Sequence, residues 1–68
     1  MLFTAVLLPA AEGGFVALNP ETGSTSQGDT IEEALANLRE ATALYIEEFP
    51  IVGAGRPLVT TFEVERHA

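Results

Sequence analysis

Sixty-eight residues make one small domain, and a chain of that size hides only about 60% of the surface its unfolded form exposes. At 47% hydrophobic residues it is too apolar for disorder, while the lack of cysteine and a single histidine, His67, exclude a disulfide and a zinc cluster. The net charge of −7, with Arg39, Arg56 and Arg66 as the only cations, opposes direct binding to nucleic-acid phosphates and favours basic partners.

The first predicted element is the apolar run Leu2–Leu8, which is rich in strand-forming side chains. Pro9 to Gly14 break it, and the paired glycines supply the positive φ of a tight reversal. Phe15–Leu18 then reads as a second strand, giving a hairpin. Asn19–Gly23 is turn chemistry, and Ser24–Gly28 is a polar third strand of poor propensity.

A helix is predicted over residues 30–48. Thr30 and Glu33 have the spacing of a capping box, as do Asp29 and Glu32 one residue earlier. Ile31, Ala34, Leu35, Leu38, Ala41, Thr42, Tyr45 and Phe49 recur at three- and four-residue intervals and form one apolar stripe. Pro50 ends the helix and drives Phe49 from helical geometry. Residues 51–57 read as a loop, and Leu58–Glu65 alternate as a last strand.

The order is thus β-β-β-α-β, an α+β fold of two layers, in which one helix covers one face of a small antiparallel sheet. Leu2, Val6, Leu8, Val16 and Leu18 fall on the face opposite Phe3, Leu7 and Phe15. One helix cannot cover both, so a second copy or another partner is expected over one face, with Leu2, Val6, Leu8, Val16 and Leu18 as the oligomer interface. Self-association is also what remains to a small domain without disulfide or metal.

Nothing points to catalysis. A Ser/His/Asp or Cys/His arrangement has no residues to build it, and Gly13-Gly14 precede a strand rather than a phosphate-binding helix. No metal, cofactor or catalytic residue is expected. No apolar run reaches the ~20 residues of a membrane span. Met1–Pro9 lack the basic flank of a secretory signal, and the absence of cysteine fits a reducing compartment, so a cytoplasmic location is expected. Residues 29–49 hold six acids against Arg39 alone, a local balance of −5. Arg39 has no acid three or four residues away on the helix.

Gly13-Gly14-Phe15-Val16-Ala17, then Asn19-Pro20-Glu21, then Ser26-Gln27-Gly28-Asp29-Thr30-Ile31-Glu32-Glu33-Ala34, resemble the HicB family of type II toxin–antitoxin systems. The run from Gly28 to Ala34 matches closely. The turn departs from the family pattern, with Glu21, Thr22 and Ser24 where Asp, Pro and Cys are common. The resemblance implies a partial ribonuclease H-like β-β-β-α-β fold without enzymatic activity. It implies binding and masking of HicA, a small basic mRNA-cleaving toxin. The likeness is to short members that form dimers or tetramers, and residues 1–68 leave no room for the C-terminal DNA-binding module of longer ones. On this reading Glu12, Glu21 and Glu47 meet the toxin, with Arg39 as a specificity contact. The competing reading is a solitary homo-oligomeric module that binds another protein or a small ligand.

Overall fold

The computed structural model describes residues 1–51 and 56–66. Three strands, β1 (Val6–Pro9), β2 (Phe15–Leu18) and β3 (Thr25–Gly28), precede one helix, α1 (Ile31–Glu48). The strands form an antiparallel sheet in the order β1-β2-β3, with α1 packed on β3 and β2. This is the expected two-layer α+β arrangement of a small antiparallel sheet under one helix.

The hairpin closes where the glycines foretell it. Ala10 N donates to Gly14 O at 2.9 Å and Gly13 N to Ala10 O at 3.1 Å. Gly13 and Gly14 both take positive φ, 102° and 78°. Gly14 is also pressed against the end of β3, for a Cβ there would lie 2.6 Å from Gly28 O. Register pairs Val6 with Leu18 and Leu8 with Val16, which puts all four on the face away from the helix. Their neighbours on β3 are Thr25 and Gln27, so that face is apolar on two strands and polar on the third.

The polar β3 is held where its propensity is weak because it touches α1. Ser26 Oγ donates to Ala34 O at 2.7 Å, and Asn37 Nδ2 donates to Gln27 O at 2.8 Å. A Cβ on Gly28 would sit 2.5 Å from Ala34 N, so only glycine lets the helix start this close to the strand. Thr30 is the N-cap: its hydroxyl accepts from Glu33 N at 3.0 Å. The reciprocal carboxylate bond reaches Asp29 N, one residue earlier than the usual partner, at 3.2 Å. At the other end Phe49 leaves helical geometry (φ −128°, ψ 82°) ahead of Pro50, and its N–H donates to Tyr45 O at 2.8 Å.

The buried apolar core is small: Ala17, Ala34 and Leu38, with Ala5, Leu7 and Phe15 partly buried against it. Of the expected helix stripe, Ala34, Leu38 and Thr42 are buried, and Ile31, Leu35, Tyr45 and Phe49 stay exposed. The stripe is real, but the sheet beneath is only three short strands wide.

Two expectations change. The first strand begins at Val6 rather than Leu2, because β2 ends at Leu18, opposite Val6, and offers nothing further to pair with. The alternating segment 58–65 forms no strand: a strand exists by pairing, and Leu58, Val59, Phe62 and Val64 are all exposed. The expected loop over 51–57 lies mainly outside the described residues, and His67 lies outside them.

Candidate interaction surface

The residues singled out by sequence are spread over the two turns, the helix, the groove beside residues 1–5 and the far face of the sheet. Glu12 sits on the β1–β2 turn, exposed. Around the same shallow hollow lie Asp29 and Glu33, but among the described residues no group of three acids or histidines converges to hold a metal ion. Arg39 and Glu47 are both exposed on α1, eight residues or about 12 Å apart along its axis.

Glu21 has a different setting from the one its charge suggests. The β2–β3 turn folds it back so that its carboxylate accepts from Thr4 N at 2.9 Å (Oε1) and from Thr4 Oγ1 at 2.7 Å (Oε2). Asn19, 1% exposed, donates through Nδ2 both to Glu21 Oε1 and to Thr4 O, the latter at 2.8 Å. Its Oδ1 accepts from Thr22 N at 3.0 Å and from Thr22 Oγ1 at 2.6 Å. The turn is thereby a latch that ties the N-terminal segment to the end of β2. Partial desolvation pushes the Glu21 carboxyl up, but hydrogen bonds from the Thr4 amide and hydroxyl, its own amide and Asn19 outweigh it. The net position is below the ordinary carboxylate value. Sequence reading took Asn19–Gly23 as a turn and missed the buried hub. The signal available was Asn19 followed by a hydroxyl residue at Thr22, the spacing at which an Asx side chain caps its own turn.

The latch holds Thr4 against one wall of a groove. That groove encloses about 480 Å³ between residues 1–5 and the helix face of Leu35, Leu38, Thr42, Ala43 and Ile46, with Arg39 also lining it. Leu2, expected on the open sheet face, lines this groove instead. On the far side of the sheet, Val6, Val16 and Leu18 are half-buried and Leu8 is 52% exposed. The outer side of α1 carries Glu32, Glu33, Glu40, Glu47 and Glu48, all exposed.

The surface is therefore acidic along the helix and apolar in two places. No helix among the described residues is long and apolar enough to cross a membrane. No family model matches the chain, and no solved structure matches it significantly. The chain is similar to three UPF0150 proteins of Synechocystis sp.: ssl0738 at 46% identity over 46 residues, ssr1765 at 48% over 46, and ssl0259 at 44% over 48. These stretches take in 66%, 66% and 69% of this chain. They span 64%, 58% and 66% of the respective relatives' length.

Proposed function

We propose that this domain is an antitoxin-like binding module of HicB type. It neutralises a small basic mRNA-cleaving toxin of HicA type by direct contact, in the cytoplasm and without catalysis of its own. The observation that supports the reading best is the outer surface of α1, where five exposed carboxylates share the helix with one arginine. Such a surface suits a protein whose own ligand is RNA, since it offers negative charge where phosphates would lie. Glu47 and Arg39 belong to that helix, and Glu12 lies at the neighbouring turn. Glu21 contributes by holding the β2–β3 turn in shape, with its carboxylate engaged inside the molecule. The resemblance of Gly28–Ala34 to the HicB helix opening gains from the Gly28–Ala34 approach, which allows no side chain at Gly28.

The test mixes the chain with the product of an adjacent gene of small, basic, HicA-like type and follows complex formation and RNA cleavage. A complex tighter than micromolar and suppressed cleavage are expected. Glu47→Lys together with Glu40→Lys should weaken binding tenfold or more and flatten its salt dependence. Absence of any complex at micromolar concentration overturns the reading.

The second reading is a homo-oligomeric binding module, a dimer or tetramer, with no toxin. It is favoured by Val6, Leu8, Val16 and Leu18 lining up on the sheet face away from the helix, with Leu8 52% exposed. It predicts stable self-assembly where no toxin is encoded nearby.

A further inference from the structure

We propose that residues 58–65 form an exchanged arm, which leaves its own subunit and adds to a second copy of this chain along the N-terminal segment and β1. This deepens the self-association named above and does not depend on the toxin.

The first ground is the arm itself. Its residues alternate, with Leu58, Thr60, Phe62 and Val64 on one row and Val59, Thr61, Glu63 and Glu65 on the other. That is the pattern of a strand with one apolar face. Yet Leu58 is 88% exposed and Phe62 85%, and among the described residues none of the eight makes a backbone–backbone hydrogen bond.

The second ground is the receiving edge. Thr4 directs both its N–H and its C=O towards the β2 side, to Glu21 and Asn19, and Ala10 N does the same towards Gly14. By strand alternation, Phe3, Ala5 and Leu7 direct theirs to the outer edge, where no strand lies among the described residues. The even-numbered residues 4 to 10 are tied inward, and Phe3, Ala5 and Leu7 are free to pair, while Pro9 offers the edge its carbonyl alone. An eight-residue arm spans about 26 Å, which matches residues 2–9. The apolar row would meet the groove beside Leu35, Leu38 and Ala43, which α1 leaves open by lying over β3 and β2. The other edge strand, Thr25–Gly28, is polar and suits such a row less well.

The third ground is area. The chain exposes 5770 Å², whereas a compact protein of its mass exposes about 4,100 Å², so the excess is of order 1,600 Å². Its radius of gyration is 14.2 Å against the ~11 Å of a compact chain of this length. An excess of that size in each copy is enough for a stable interface, whose total burial is typically ~1,600 Å². Because every copy carries both arm and edge, two exchanges close a symmetric dimer and leave neither unpaired.

The chain has no native cysteine, so introduced ones report the contact cleanly. Thr60→Cys and Ala43→Cys are made in separate chains, mixed and oxidised; both positions are exposed in the single copy. Exchange predicts a covalent heterodimer. The same two cysteines placed in one chain should give a covalent dimer and no internal loop at low micromolar concentration. Phe62→Asp should weaken dimerisation at least tenfold while leaving the helical circular dichroism unchanged, because Phe62 contributes nothing to the single-copy core. An internal disulfide in a monomer would show the arm closing on its own subunit and overturn the proposal. A dimer that forms no cross-link and tolerates Phe62→Asp would overturn it too, while leaving self-association through the open sheet face standing. A folded monomer at all concentrations would overturn both.

Discussion

Gly28 shows how much of this domain rests on one missing side chain. A methyl group on its Cα would lie 2.5 Å from Ala34 N and 2.9 Å from Glu33 C. Both are backbone atoms of the helix, so nothing can give way except the docking of α1 on β3. Gly28→Ala should therefore cost about 1–3 kcal/mol, the usual penalty of overpacking, read from urea denaturation. Thr30→Ala removes the acceptor for Glu33 N and should cost about 1 kcal/mol. Glu21 gives a pH-dependent prediction. Its folded-state carboxyl lies below its ordinary value, so its contribution is present above the unfolded value and is lost as pH falls through the folded one. Wild-type stability should decline as the pH drops through the acidic carboxylate range, with the latch from Thr4 to Asn19 loosening first. Glu21→Gln should flatten that decline when denaturation midpoints are compared between neutral and acid pH.

At the scale of the element, α1 ends badly by its own electrostatics. Glu32 and Glu33 sit favourably in the first turn, but the last turn holds Glu47 and Glu48 and no base. Glu48→Lys should raise helix stability by about 0.3–1 kcal/mol, as seen in the thermal midpoint. Under the proposed function the same change weakens toxin binding, so stability and affinity move in opposite directions. Local sequence signals were enough for the helix bounds, the Gly13-Gly14 reversal and β2 at Phe15–Leu18, while the choice of Thr30 over Asp29 as N-cap came from the structure. These are local: caps, turns and apolar spacing act within a few residues. The segment 58–65 was equally legible as a strand pattern, yet it is unpaired, because alternation says a strand can form and is silent about which edge receives it. The Asn19 hub was hidden for a similar reason. Its partner Thr4 lies 15 residues away in sequence, and no short-range rule joins them.

At the scale of the whole molecule, the buried apolar side chains among the described residues, Ala17, Ala34 and Leu38, make a thin core. Among the large apolar residues of the described structure, Leu44, Tyr45 and Phe49 of the helix end and Leu58, Phe62 and Val64 of the arm all meet water in the single copy. Tyr45 and Phe49 at least meet each other, with ring centroids 5.0 Å apart and planes at 37°. Stability that depends on covering such surface depends on concentration. The thermal midpoint should rise measurably between about 5 and 500 µM protein, a span that mass action makes worth ~2.7 kcal/mol if association is obligatory. Leu8→Lys, on the open sheet face opposite Val16, should reduce any tetramer to a dimer without dissolving the arm exchange, as read by analytical ultracentrifugation.

The amino-acid sequence by itself determined the hairpin, the third strand and the helix after it, because each rests on contacts between near neighbours along the chain. It also settled the acidity of the helix and the presence of more apolar side chains than one helix can cover. Only the tertiary structure decided that Glu21 turns inward, that Gly28 is the point of closest approach, and that α1 leans over β3 and leaves the side of β1 open. Those outcomes depend on which distant backbones meet, and apolar burial, being non-directional, specifies that surface be hidden without specifying by what.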